Sequence, residues 1–419
     1  MKARRRLLAL ALVAASTAPA ASSRSREAAG SLDQAQPRER LIRVLISANT
    51  RVRGIAAPQG FVLSDVGGAL VARARAGEGW RVEQDGRRVR AVRPDGMPTV
   101  WMNGPIRAHA VNDGLLSVGG KPYRGDFVFS GGDSGIVAIN VLPIDDYLQG
   151  VVPLEIGDLP ASDAAAVEAQ AVTARSYAYI HLDASRPYDL TGGVLDQLYG
   201  GAGAETAVAS QAVEATHGLV LKYAGRVVNA PYHAVCGGTT AAASEIWRSN
   251  DEPYLQSVSD QIPGTNRYYC DLSPRFRWTR VMDGPTLDAA LAKYLATYTA
   301  VPGGTPGNAR GVTVTSHTQS GRVNTLAIST NRGNFMLRGN DIRFVLRPPG
   351  GEILNSTYFS VETTLGADGS VARLTLHGMG YGHGVGMCQW GAIGRARAGQ
   401  DYQAILRAYY PGTTIGPVE

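Results

Sequence analysis

A chain of 419 residues is long enough for two or three cores, and its 44% hydrophobic content excludes general disorder. Fifty-one glycines against seven phenylalanines exclude a helical bundle and point to strands and turns. Four of the positive charges behind the formal +6 sit in the first twenty residues, and no basic stretch interleaved with aromatics follows, so nucleic acid is excluded as a partner.

Those twenty residues join Lys2, Arg4, Arg5 and Arg6 to the apolar run LLALALVAAS and the small-residue end APA, the pattern of a cleavable export signal. The run is too short to span a bilayer permanently, and no later stretch reaches about 18 uninterrupted apolar residues. We therefore expect a signal over 1–20, a polar leader over 21–40, and a mature protein that is periplasmic, wall-associated or secreted, with no permanent membrane span.

From Leu41 the pattern changes to short alternating runs, LIRVLIS, GFVLSDV and GWRVEQDGRRVRAVRP, separated by Gly, Asp and Pro turns. They predict a small β-rich region over 41–122. Residues 123–419 read as a mixed α+β core, strand-rich with a few helices. YRGDFVFSGG and GIVAINVLPI predict two strands. A helix follows, capped by Ser162 or Asp163, with Val167, Ala171, Ala174 and Ala178 at helical spacing and no Gly or Pro before Arg186. Its other face carries Glu168, Val172, Arg175 and Tyr179. Further helices are expected in AETAVASQAVEATHG, in 285–298 behind Pro285, and in QDYQAILRAYYPGT; LVLKYAGRVV reads as two strands turning at AG, and 311–376 as alternating strands.

Near the end, HGMGYGHGVGM places Gly378, Gly380, Gly382, Gly384 and Gly386 on every second position around His383. No Lys-Ser or Lys-Thr pair follows, which excludes a P-loop, and no βαβ unit surrounds the glycines, which excludes a dinucleotide fingerprint.

This block and three earlier ones, DDYLQGVVPLEIG with EAQAVTARSYA, DQLYGG, and YHAVCGGTT with PYLQSVSD and YYCDLSPRFRW, stand in one order over about 123–415. Together they resemble the family of stage II sporulation protein D and the amidase enhancer LytB. The resemblance implies a role on peptidoglycan glycan strands, as a lytic transglycosylase that cuts between N-acetylmuramic acid and N-acetylglucosamine and leaves a 1,6-anhydro ring. Glu155 in VVPLEIG would protonate the glycosidic oxygen and then withdraw the C6 hydroxyl proton, with Val151, Val152, Leu154 and Ile156 supplying an apolar setting that raises its pKa. Asp145, Asp146 and Asp158 read as caps or turn formers.

The same resemblance makes Arg175, Tyr199, His383 and Gln389 the expected substrate contacts, Tyr199 by stacking on a sugar and His383 by reaching toward Glu155 along a glycine-lined groove wall. It also implies a second role, a non-catalytic wall-binding enhancer of a cell-wall amidase, and Glu168 favours that alternative because many members have Lys there. The chemistry requires no cofactor. Relatives with zinc suggest His233, Cys236 and Cys270 as ligands of a structural ion, to be completed by Asp260, His383 or Cys388; a Cys236–Cys270 disulfide and reduced thiols stand beside that reading.

Overall fold

The computed structural model describes residues 40–193, 196–247 and 252–418. The expected export signal and nearly all of the leader lie outside them. Among the described residues no helix is long and apolar enough to cross a membrane.

The fold is mixed α+β, with several sheets around two hydrophobic cores. Leu41–Ser47 does not belong to a separate N-terminal unit. It runs antiparallel to Ile136–Pro143 and parallel to Leu190–Thr191, inside a seven-stranded sheet that continues through Asp126–Gly131, Ile106–Ala110 and Phe61–Asp65 to Leu70–Ala74. The boundary expected at 122/123 therefore cuts through one sheet and one core. The reason lies in the strand's pattern: Ile42 and Val44 are fully buried and need a cover that only later strands and helices supply. A five-stranded sheet holding Val52–Ala56 and Trp80–Asp85 closes that side of the molecule.

The long helix spans Ala164–Ile180 and is enclosed on nearly every face. Its alanines 166, 169, 171, 174 and 178 are buried, and their small side chains let Gln389–Arg397 and Tyr402–Tyr409 pack closely. Asp163 stands at the helix start, but its carboxylate is taken by Arg397 at 2.7 Å and makes no side-chain cap.

Arg175 faces the interior, which corrects its assignment to a substrate groove. Its Nε donates to Asp145 at 2.6 Å, while Nη1 and Nη2 donate to the carbonyls of Leu219 and Val213, each at 3.1 Å. The guanidinium thus satisfies the orphan carbonyls where helix Ala207–Ala215 ends and strand Leu219–Tyr223 begins.

A second core, running from Met282 to Leu376, belongs to an insertion between two segments of the first. One of its sheets orders Arg277–Asp283, Val371–Met379 and Phe359–Leu365; the other holds Ala309–His317, Val323–Thr330 and Gly333–Arg338. Helix Gly284–Tyr294 packs between them, opened by Pro285 and capped by Asp283, whose carboxylate accepts from the Thr286 amide at 2.8 Å. The single core expected over 123–419 is thus two, because the alternating strands of 311–376 pair with one another.

The two parts are joined by Arg322. Its buried Nη2 donates to the carbonyls of Cys236 and Thr239 at 2.8 and 2.9 Å.

Removing one partner of a buried ion pair leaves the other uncompensated. Arg175→Met should therefore cost about 3–5 kcal/mol, measured by urea unfolding. An unchanged unfolding midpoint would contradict the structural role.

Candidate functional site

Glu155 sits on a one-and-a-half-turn helix, Val152–Ile156, which starts with Pro153 in its first turn. Val151, Val152, Pro153 and Ile156 anchor it in the core and leave the Glu155 carboxyl half-buried in a cavity of about 480 Å³. Tyr177, His181, Asp196, Gln197, Asn229, Pro231, Tyr232, Trp247 and His383 line the same cavity.

Burial and two donor groups control the carboxyl. Burial penalises its charged form and outweighs two donors that favour it, so the pKa stands above the ordinary glutamate range. One donor is the Leu198 amide, 2.7 Å from Oε1. The other is the Tyr232 hydroxyl. That hydroxyl accepts from Gln197 Nε2 at 3.2 Å, and Gln197 Oε1 accepts from Tyr147 at 3.2 Å. Because Tyr232 accepts from Gln197, its own proton is free to be donated to Glu155. The buried relay Tyr147, Gln197, Tyr232 therefore has one direction, and it ends on the acid.

Gln389 approaches the same helix from behind. Its Nε2 donates to the Glu155 carbonyl at 2.9 Å and to Gln170 Oε1 at 3.2 Å, so it positions the backbone that carries the acid and is not among the residues that line the cavity.

His383 reaches the cavity, but its nitrogens do not meet Glu155. The Val385 amide donates to Nδ1 at 3.1 Å, and Nε2 donates to the Tyr232 carbonyl at 2.9 Å. These partners fix the neutral Nε2–H tautomer, and burial together with Arg343 pushes the pKa down to about 3. His383 thus holds Tyr232 from the main-chain side.

Tyr199 is buried and offers no face to a sugar. Its hydroxyl donates to Asn140 at 2.8 Å and its ring packs with Tyr147 and Tyr123, which makes it a core residue beneath the site. Trp247, in ring contact with His383 at 5.1 Å, is the large aromatic that lines the cavity instead.

Tyr177 and His181 were also missed, although their i, i+4 spacing on the long helix was visible. Their rings lie 4.1 Å apart, and Nδ1 of His181 donates to the Tyr177 carbonyl, leaving Nε2 as an acceptor. Asp196 is held by the Thr191 amide and hydroxyl at 2.8 and 2.7 Å.

The glycine-rich segment is less a groove wall than a backbone-to-backbone seam. Residues 381–387 bridge to Tyr232, Val235 and Ala241. At Gly386 the φ is +71°, and an added Cβ would lie 1.9 Å from the Pro231 carbonyl oxygen; at Gly384 it would lie 2.6 Å from the Arg322 guanidinium.

The expected zinc ligands separate. Cys236 and Cys270 meet, sulfur to sulfur, at 3.3 Å and are free thiols. His233 does not join them. Its Nδ1 donates to the Val385 carbonyl at 3.1 Å, and its ring is in contact with His383. Asp260 and Cys388 complete the cluster in its place.

A family model described as stage II sporulation protein matches residues 132–223, which contain Glu155 and the long helix. An uncharacterised protein of Brachyspira hyodysenteriae is 30% identical over 304 residues, 72% of this chain and 74% of that protein. The chain belongs to the stage II sporulation protein D family. Stage II sporulation protein D of Bacillus subtilis is 27% identical over 67% of this chain and 77% of its own length. The amidase enhancer of the same organism is 30% identical over 72% of this chain, which spans only 45% of that protein. A second model, described as a domain of unknown function, matches residues 265–386, and these bounds enclose the inserted core.

The raised pKa of Glu155 has a stability consequence. The folded carboxyl holds its proton more tightly than the unfolded one, which titrates near about 4.3. Its favourable contribution is complete below that value and is lost as pH rises through the higher folded value. Glu155→Gln does not titrate. Its melting temperature should match the parent's in acid and exceed it increasingly toward neutral pH, measured by calorimetry across that range.

Proposed function

We propose that this protein is a lytic transglycosylase of peptidoglycan glycan strands, acting outside the cytoplasmic membrane, with Glu155 as acid and then base. The observation that carries the reading is the half-buried carboxyl at the end of a one-way hydrogen-bond relay, with its pKa raised by burial, in a cavity large enough for a sugar.

A glycosidic oxygen is a poor leaving group, so the bond breaks only if a proton arrives as it lengthens. Glu155 holds that proton because burial disfavours the carboxylate. Once the proton has passed to the leaving sugar, the carboxylate is stabilised by the Leu198 amide and the Tyr232 hydroxyl, which strengthen as charge appears. It then withdraws the C6 hydroxyl proton while that oxygen closes on the anomeric carbon, and the acid is restored. No water is consumed. Asp196, fixed by Thr191, adds negative charge to the cavity in which positive charge develops on the ring. Trp247 offers a flat face for a neighbouring sugar.

A second reading has its own support. Similarity to an amidase enhancer favours a wall-binding protein that raises the activity of a cell-wall amidase, and Glu168 stands where many members carry Lys. In that case the cavity binds glycan without cutting it.

The two separate on purified glycan strands, bare and with peptide stems. Mass spectrometry should find new 1,6-anhydro-muramyl ends with the parent, and Glu155→Gln should lower their rate by about 10²–10⁴-fold. Equal absence of ends from parent and variant, with retained glycan binding and stimulation of an amidase, would replace the first reading with the second.

A further inference from the structure

Cys236, Asp260, Cys270 and Cys388 come from four separated parts of the chain. Cys236 follows strand Tyr232–His233, Cys270 lies in the turn Tyr269–Leu272, and Cys388 opens helix Gln389–Arg397. One donor atom from each lies within 4.8 Å of all the others, and all four residues are buried. Three thiols alone would make an unremarked piece of core. A fully buried carboxylate among them does not, because Arg395 and Tyr409 meet only one of its oxygens and the other is turned to a sulfur.

The orientation of that acid is specific. Tyr409 donates to Asp260 Oδ1 at 2.7 Å and Arg395 at 3.3 Å, which leaves Oδ2 aimed at the Cys236 sulfur 3.6 Å away. A tetrahedral zinc with bonds of about 2.3 Å to sulfur and about 2.0 Å to oxygen holds its ligand atoms roughly 3.5–3.8 Å apart. The separations of 3.3 and 3.6 Å are already close to that spacing.

The sulfurs are also surrounded as thiolates would be. The Cys236 and Gly391 amides donate to the Cys388 sulfur at 3.1 and 3.3 Å, and the Gly238 amide to the Cys236 sulfur at 3.4 Å. Cys388 occupies the N-cap of a nine-residue helix, where a negative charge is favoured. Gly391 keeps the space clear, since a Cβ there would lie 2.6 Å from Asp260 Oδ2.

We infer that the three sulfurs and Asp260 Oδ2 form a closed four-coordinate site for a divalent, thiophilic cation of the zinc class. The assignment stands apart from the proposed activity and replaces His233 by Asp260 and Cys388. On loading, each thiol gives its proton to solvent and its sulfur lone pair to the ion. Three thiolates, one carboxylate and a dication leave two negative charges, which Arg395 at Asp260 and Arg322 at the Cys236 carbonyl offset. No ligand position stays open, so the ion is structural. It ties the root of the inserted core, between Cys270 and Cys388, to the segment whose next residue, Gln389, holds the Glu155 backbone.

The test uses the mature chain purified without chelator, with elemental analysis and refolding in cobalt(II). One zinc per chain and an ultraviolet thiolate-to-cobalt charge-transfer band are expected, and chelation should lower the melting temperature until zinc is restored. Cys388→Ser keeps an N-cap acceptor, and Asp260→Asn keeps the shape; each should weaken zinc binding about tenfold or more. His233→Ala should keep it. A chain that takes up neither metal after reconstitution overturns the site. So does a Cys236–Cys270 disulfide in a non-reducing peptide map of the native protein. Metal lost from His233→Ala but retained by Cys388→Ser overturns the ligand assignment.

Discussion

The seam between residues 231–241 and 380–388 is the constraint on which the rest of the structure depends. Two backbones lie against each other there with no side chains between them, and the approach is possible only because alternate residues on one side are glycine. Everything with chemical character is referred to this seam. Tyr232 leaves it toward Glu155, His383 fastens Tyr232 from its carbonyl, Gln389 supports the acid's own backbone, and Cys236 and Cys388 leave it on the side of the thiol cluster. A side chain on Gly386 would push the strands apart and disturb both places at once.

The acid itself is a balance between desolvation and donors. Burial among apolar neighbours favours the protonated form of Glu155, whereas the Leu198 amide and the Tyr232 hydroxyl favour the carboxylate, and burial outweighs them. The histidine nearby does not share in this balance. Its tautomer is consumed by two main-chain partners, and its proton affinity is far below what proton transfer near neutral pH requires.

Much of the fold was readable because its signals are local. LIRVLIS and GIVAINVLPI alternate and are strands, Ala224 and Gly225 have positive φ and make the expected turn, and the Gly-free run after Asp163 is a helix. The raised pKa direction of Glu155 was readable for the same reason, because its Val, Pro and Ile neighbours are adjacent in the chain, whereas it was the motif around it, through the family resemblance, that singled this glutamate out. Arg175 shows where such reading ends. Helical spacing places it on one face, and spacing cannot tell a solvent cleft from a second layer of helices, since both lie outside the cylinder. Tyr199 fails likewise, as an aromatic beside glycines suits a groove and a core equally well.

By itself, the sequence determined the α+β class, the principal elements, the apolar neighbours of Glu155 and the three thiols available for a cluster, because each depends on residue type or on neighbours a few positions away. Only the tertiary structure decided that the first strand belongs to the main sheet, that residues 277–379 carry their own core, and that Trp247 rather than Tyr199 lines the cavity. It alone placed Asp260 and not His233 among the sulfurs. These are matters of which buried faces meet across a hundred residues or more, and they are settled by the need to cover apolar surface and to pair buried polar groups, a need that segments far apart in the chain meet only together.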